Sequence, residues 1–319
     1  MPFDHSSTAE EVLAGVDLTG KHALVTGANT GIGAETARAL AARGAAVSLA
    51  VRDIAKGEAA ADRIRSDHPG ADLRVGTLDL SSLAGVREYA DRLQARGEQL
   101  DILIANAGVM AIPFGRTLDG FERQFGVNHL GHFVLVNKLV PSLTPASGTR
   151  VVVLSSGAHR RSNVDLDDPN FDRTPYDPWI AYGRSKTANI LFALELGRRL
   201  SDRGVRAYAV HPGVVRGTEL NRYLDEDEQA AVEDTIQRLP ASRVKSTPQG
   251  AATSVWAATA DVGTGVYCED CQVVGESHDP RERPARESDR LSRYAVDPET
   301  AAALWTLSER MVGERFDAS

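Results

Sequence analysis

Tyr182 and Lys186 stand four positions apart, a spacing that puts both side chains on one face of a helix and within reach of each other. A free tyrosine titrates at about 10 and is a poor acid–base group at neutral pH. A neighbouring ammonium favours the phenolate, which brings the phenol toward the range where it exchanges a proton with an alcohol or a carbonyl. Upstream, Ser155 and Ser156 close the apolar run 150–154. A hydroxyl at such a strand end can hydrogen-bond a substrate oxygen and stabilise the charge growing on it. Asn128 lies mid-segment in Gly126-Val127-Asn128-His129. Amides are poor helix-interior residues, so a buried Asn there needs a purpose.

A second constellation binds rather than reacts. Gly27-Ala28-Asn29-Thr30-Gly31-Ile32-Gly33 follows the first β-like run and opens the first helical one. Glycines at that junction permit a tight turn and a close backbone approach to a pyrophosphate, which then rests on the positive amino terminus of the helix. The residue at the tip of the second strand chooses between nicotinamides: a carboxylate there holds the ribose 2′-hydroxyl and repels a 2′-phosphate. The chain has Val51 at that tip and Arg52 beside it. A guanidinium grips a phosphate in bidentate fashion, so NADP(H) is the favoured cofactor and NAD(H) the alternative. Asp53 precedes good helix formers and is expected to cap the next helix.

These residues need a frame that brings them together. Short apolar or β-branched runs at 23–26, 46–51, 73–78, 102–105, 150–154 and 206–210 alternate with helix-forming stretches at 34–43, 55–65, 83–96, 121–140 and 181–200. Such alternation means βαβ crossovers and a parallel sheet covered on both faces. The expected fold is α/β, a Rossmann-type doubly wound parallel sheet in a single domain, residues 1–278, with a carboxy-terminal extension, 279–319. Two stretches interrupt the pattern. Residues 160–178 carry five Asp and three Pro, a polar loop of unusual length. Residues 279–293 hold five Arg and two Pro and read as a surface connection to a terminal helix at 298–311.

Beyond its physics, the chain resembles the short-chain dehydrogenase/reductase family. The resemblance rests on the Thr-Gly-x-x-x-Gly-x-Gly turn at 26–33, Asn106-Ala107-Gly108, Asn128, Ser156, Tyr182-x-x-x-Lys186 and Pro212-Gly213, in unbroken order over about 18–275. Residues 50–53, 154–159 and 182–196 are similar to its retinol-dehydrogenase-like branch. The resemblance implies that Ser156, rather than Ser155, positions the substrate oxygen. It implies that Tyr182 exchanges the proton, that Lys186 also holds the cofactor ribose, and that Asn128 holds a water linking the lysine to solvent. It places Asp79, with Leu80 beside it, at the adenine; a helix cap is the alternative for Asp79. Asn106, Ala107 and Gly108 are expected near the cofactor, with Asn106 bracing the sheet, and Pro212, Gly213, Val215 and Thr218 beside the nicotinamide. Thr218 departs from the family by one place, since Gly217 occupies the usual spacing. Ser156 and Tyr182 are 26 positions apart, longer than the family's usual interval, so 160–178 is expected to join 218–245 as substrate lid. Homodimers or homotetramers are implied as well.

Composition narrows the function. The 319 residues carry a formal charge of −8, which argues against a nucleic-acid partner needing a basic face. No run approaches the roughly 20 apolar residues that span a bilayer, and 1–15 lacks the pattern of a signal peptide. A cytoplasmic protein without a membrane partner is expected. Cys268 and Cys271 have CxxC spacing but no second pair to complete a zinc site, and His129, His132 and His159 lack metal-ligand spacing, so no metal is expected. The functional expectation is an NADP(H)-preferring oxidoreductase interconverting an alcohol and a carbonyl on a lipophilic substrate of retinoid, steroid or polyketide type. The alternative is a catalytically silent NADP(H)-binding sensor or scaffold.

Overall fold

The computed structural model describes residues 3–143, 148–275 and 291–316. Strands β1 (His22–Thr26), β2 (Ala46–Val51), β3 (Leu73–Thr77), β4 (Ile102–Ala105), β5 (Arg150–Leu154), β6 (Arg206–His211) and β7 (Val266–Glu269) run parallel in the spatial order 3-2-1-4-5-6-7. A short β8 (Gln272–Val273) folds back antiparallel on β7. The fold is the doubly wound sheet that the alternation of runs implies. Strand order reverses between β1 and β4, and in such sheets ligands bind at that switch point, outside the carboxyl ends.

Alternate residues along each strand feed two cores. Leu24, Leu103, Val151 and Val153 face one side, with helices α3 (Leu83–Ala95), α4 (Gly131–Leu139), α5 (Pro178–Leu200) and α8 (Pro298–Val312). Val25, Ile104 and Val152 face the other, with α1 (Gly31–Ala41), α2 (Ile54–Asp67) and α7 (Thr247–Thr259). Helix α6 (Glu226–Arg238) buries no residue and lies along the cleft instead. At the carboxy terminus, α8 seats Trp305 among aromatic rings, 5.0 Å from Phe133 and 5.9 Å from Phe192.

Local chemistry moves several boundaries from their expected places. Helix α1 begins at Gly31, within the glycine turn, and its third residue, Gly33, has no room for a side chain. A Cβ on Gly33 would lie 2.4 Å from the Gly27 carbonyl oxygen. Asp177 caps α5 by accepting from the Trp179 and Ile180 amides, so the helix starts at Pro178. The stretch 121–140 is not one helix. A short turn (Arg123–Phe125) passes into a wide π-turn (Gly126–Leu130) before α4, and the π-turn contains Asn128. Such turns often mark functional sites. Most of the expected surface connection at 279–293 lies outside the described residues.

Candidate active site

The glycine turn is held from below by one hydroxyl. Thr26 Oγ1 accepts from the Asn106 amide at 2.9 Å and the Ala107 amide at 3.0 Å. With both lone pairs used, its proton goes to His132 Nε2, 2.9 Å away, and His132 Nδ1 donates to the Asn128 carbonyl at 3.0 Å. Burial pulls the His132 pKa to about 4, which keeps the ring neutral, as this chain of bonds requires. Asn106 adds a bond from Nδ2 to the Thr26 carbonyl at 2.8 Å. Its side chain is thus a brace between β1 and β4. Gly27 sits at φ 67°, where a Cβ would be 3.0 Å from Ala107 Cα. The turn has no room for a side chain at Gly27 or Gly33, which fits a close approach by a dinucleotide pyrophosphate.

Asn128 is fully buried. Its Oδ1 accepts from the Val109 amide at 2.8 Å, and Nδ2 donates to the Val109 carbonyl and to Ser185 Oγ, each at 2.9 Å. Both side-chain donors are therefore engaged by protein groups, leaving one lone pair on Oδ1. The residue fixes the wall around Lys186, and Gly108 lies between them: a Cβ there would be 3.1 Å from Asn128 Oδ1 and 3.6 Å from Lys186 Nζ.

Both serines line the cleft, and their hydroxyls differ in their partners. Ser155 is buried and donates to the Lys186 carbonyl at 2.9 Å. Ser156 lines the cleft, accepts from the Ala158 amide at 3.2 Å and shares a hydrogen bond with the Tyr182 hydroxyl. Lys186 Nζ donates to the Leu154 carbonyl at 3.0 Å and lies 5.6 Å from the Tyr182 ring centre. Burial drives both titrations away from water values. It pushes the Tyr182 phenol up to about 12, against the opposing bond from Ser156, and pulls the Lys186 ammonium down to about 8. Among the protein's own groups burial thus outweighs the expected lowering of the phenol, and the Lys186 ammonium is turned toward a strand carbonyl.

These groups open into one cleft of about 1550 Å³. That exceeds the roughly 300–1,000 Å³ of a typical small-ligand pocket and leaves room for a cofactor and a substrate together. Gly27, Asn29, Thr30, Gly31, Ile32, Gly33, Arg52, Asp79, Leu80, Asn106, Ala107, Gly108, Pro212, Gly213, Val215 and Thr218 all line it, as do Ser156, Tyr182 and Lys186. Asn128 stands behind the wall. Leu80 turns its side chain into the core, so only its backbone is available to a ligand. Asp79 does not cap α3; Ser82 does, accepting from the Gly85 amide. Asp79 Oδ1 instead accepts from the Ser81 amide and hydroxyl at 2.9 and 2.7 Å. Asp53 lines the cleft and caps α2, its Oδ1 accepting from the Lys56 amide at 3.1 Å, as its sequence position implies. Gly217 takes φ 79°, and Thr218 stands against the glycine turn, 3.8 Å from where a Cβ on Gly31 would be.

The lid segments differ from expectation in one respect. Residues 160–178 reach the cleft only through Arg160 and Arg161. The rest folds around Asp168, which accepts from the Asp172, Arg173 and Thr174 amides, and is tied down where the Tyr176 hydroxyl donates to the Ile112 carbonyl at 2.8 Å. The side from Thr218 to Leu239 supplies the cover. Leu220, Leu224 and Val232 pack with Met110 and Trp179 around Tyr182. Met110, Trp179 and Lys245 carry no motif that sequence reasoning detects. Lys245 is buried and paired with Asp270 at 2.7 Å, and its stem fills the space beside Gly213. Cys268 and Cys271 are free, buried thiols, pushed up by burial to about 12 and about 11. Among the described residues no helix is long and apolar enough to cross a membrane.

The comparisons agree with this geometry. The family description "short chain dehydrogenase" matches residues 21–229. The chain is 42% identical over 305 residues to retinol dehydrogenase 12 of Mus musculus, covering 95% of this chain and 89% of that one. An uncharacterized protein from Mycobacterium paratuberculosis, known from its crystal structure, superposes with a TM-score of 0.75 at 38% identity, over 98% of this chain and 99% of that chain. A short chain dehydrogenase from Burkholderia cenocepacia J2315, solved in complex with NADP, superposes with a TM-score of 0.62 at 27% identity, over 79% and 97%. Fold and site together define a dinucleotide-dependent oxidoreductase. The chain belongs to the short-chain dehydrogenase/reductase family, in its retinol-dehydrogenase-like branch, and acts on CH–OH donors and the matching carbonyl compounds.

Proposed function

We propose that the protein is an NADP(H)-preferring oxidoreductase for lipophilic alcohols and their ketones or aldehydes. The observation that carries this is the convergence of Ser156, Tyr182 and Lys186 with the glycine turn on one cleft. The dinucleotide, when bound, supplies or takes up hydride. The turn from Gly27 to Gly33, with its glycines bare, gives it a cradle at the amino terminus of α1. Arg52 and Lys56 line the same cleft beyond β2 and offer two cations to a 2′-phosphate. Ser156, with its oxygen accepting from Ala158, has its proton free for the substrate oxygen or the Tyr182 phenol. Tyr182 gives or takes the proton at that oxygen. A phenol raised by burial leans toward the neutral donor form, and a nearby positive nicotinamide lowers it for the reverse direction. Lys186 places an ammonium 5.6 Å from the Tyr182 ring centre and would hold the cofactor ribose, and Asn128 keeps its surroundings fixed.

The substrate class follows from the cover. Met110, Leu220, Leu224 and Val232 enclose Tyr182, while Phe114 and Leu118 stay 49% and 81% exposed at the rim. Apolar groups left in water beside a reaction centre favour a bulky apolar substrate. The test is titration with NADPH and NADH, then a panel of bulky ketones and aldehydes followed by nicotinamide absorbance. Tight NADPH binding with turnover supports the reading. Binding without turnover in either direction overturns the catalytic part, and equal use of NADH overturns the NADP preference.

A further inference from the structure

His159, three residues after Ser156, is a fully buried imidazole in the turn that follows β5. Its Nδ1 lies 2.7 Å from the Ser156 carbonyl, so that nitrogen carries the proton. Its Nε2 then accepts, and the group it accepts from is the Ser292 backbone amide at 3.3 Å, 133 positions away. The His159 carbonyl receives the Tyr294 hydroxyl at 2.7 Å and the Thr187 hydroxyl at 3.1 Å. Thr187 is the residue after Lys186 and also donates to the Ser162 carbonyl at 2.7 Å. The Tyr267 ring closes the pocket edge-on at 5.4 Å. One residue therefore joins the turn bearing Ser156, the helix bearing Tyr182 and Lys186, and the stretch that leads into α8.

The character of these contacts separates them from simple anchoring. Helix α8 is already held by Trp305 against the rings of Phe133 and Phe192. The contacts of Ser292 and Tyr294 are directional and aimed at a turn whose first residue lines the cleft. Both ring nitrogens of His159 are satisfied only while 292 is docked, and a buried ring nitrogen without a partner is costly. Losing the dock would leave His159 free to turn, and the Ser156 carbonyl with it.

We propose that the carboxy-terminal extension positions the active site: Ser292 and Tyr294 hold His159, and His159 sets the orientation of Ser156. The proposal rests on the reading of Ser156 as the group that meets the substrate oxygen. These are positioning residues, since none touches substrate or cofactor.

Three full-length variants test it. Ser292→Pro removes the amide donor at a residue whose φ of −77° already suits proline. Ser292→Ala keeps that amide and is the control. Tyr294→Phe removes the second contact by an independent route. With NADPH and a bulky ketone, kcat is expected to fall about tenfold in Ser292→Pro and in Tyr294→Phe, with KM for NADPH held within about twofold. Ser292→Ala is expected to match the wild type. Hydrogen exchange at the Ala158 amide, which is bonded to Ser156 Oγ, reports the turn without any turnover assay. It is expected to quicken about tenfold in the same two variants only. Unchanged exchange in both overturns the proposal, and so does faster exchange with unchanged kcat. A wild type that turns over nothing overturns the proposed function instead, and the exchange result alone then decides whether the extension orders the turn.

Discussion

Ser155 Oγ donates to the Lys186 carbonyl at 2.9 Å, across 31 positions of sequence. This bond makes the end of β5 and the Tyr–Lys helix a single corner. Both serines line the cleft, but this bond commits the Ser155 proton to the scaffold, whereas the Ser156 oxygen, one residue on, only accepts from the Ala158 amide. Substitutions of the two neighbours should therefore do opposite things. Ser155→Ala is expected to cost about 1–3 kcal/mol, the range for orphaning a buried partner, seen as a lower urea midpoint. Ser156→Ala is expected to lower kcat by about 10²–10³, the range for losing one oxyanion donor, with the midpoint nearly unmoved. Equal effects on stability and turnover in both variants would show that the roles are not divided this way.

Tyr182→Phe removes the oxygen proposed to exchange the proton and keeps the ring among Met110, Leu224 and Trp179. Turnover is expected to drop by about 10²–10⁴, the usual contribution of a positioned acid or base, while NADPH binding measured by fluorescence changes little. Residual activity close to wild type would place the proton elsewhere.

Arg52 follows the tip of β2 and shares a hydrogen bond with the Tyr223 hydroxyl. Arg52→Ala is expected to weaken NADPH binding about 10- to 100-fold, the equivalent of a lost charge-assisted contact of ~1.5–3 kcal/mol. NADH binding should be unaffected, since it has no 2′-phosphate. Calorimetric titration of both cofactors decides, and a parallel loss for NADH would mean that Arg52 shapes the site without reading the phosphate.

Gly33→Ala asks whether the cradle must be bare. The new Cβ would meet the Gly27 carbonyl oxygen and Asn106 Nδ2, each at 2.4 Å; the first is backbone, and the second cannot yield without breaking its bond to the Thr26 carbonyl. Loss of binding for both NADPH and NADH is expected, together with a lower thermal midpoint. Normal cofactor binding by this variant would argue against the pyrophosphate resting on this turn.

Acid should destabilise the protein earlier than its carboxylates require. Burial lowers His129 to about 3 and both His132 and His159 to about 4, from 6.5. Folded-state pKa values below the unfolded one mean that the unfolded chain takes up protons first as the pH falls. The stabilisation is complete above 6.5 and is lost progressively toward 4, at up to about 1.4 kcal/mol per pH unit for each ring. Urea midpoints measured from about pH 7 down to about pH 5 should slope downward; a flat profile would show that these rings are not held neutral.

The sheet, the glycine turn and the Tyr–Lys pair are legible in the residues because each depends on local rules. Continuous apolar runs make covered strands, glycines mark a turn of close approach, and a four-residue interval sets one helix face. Asp53 as a helix cap is of the same kind. The limits appear where a residue's role is decided by a partner far along the chain. Nothing local separates Ser155 from Ser156; the carbonyl of Lys186 does. Asn128 announces itself as an oddity in a helix, but only the fold shows its amide clasping Val109 and Ser185 within a π-turn. The long acidic stretch 160–178 suggests a lid by its position, yet most of it is turned inward on Asp168 and Tyr176. His132 and His159 look inert in sequence because a histidine's task depends on what its two nitrogens meet. Those partners are Thr26 and Asn128 for one, Ser156 and Ser292 for the other. Local spacing determined the chemistry this chain can attempt. Long-range hydrogen bonds, which close only when the two cores have packed, decided which atoms are free to perform it.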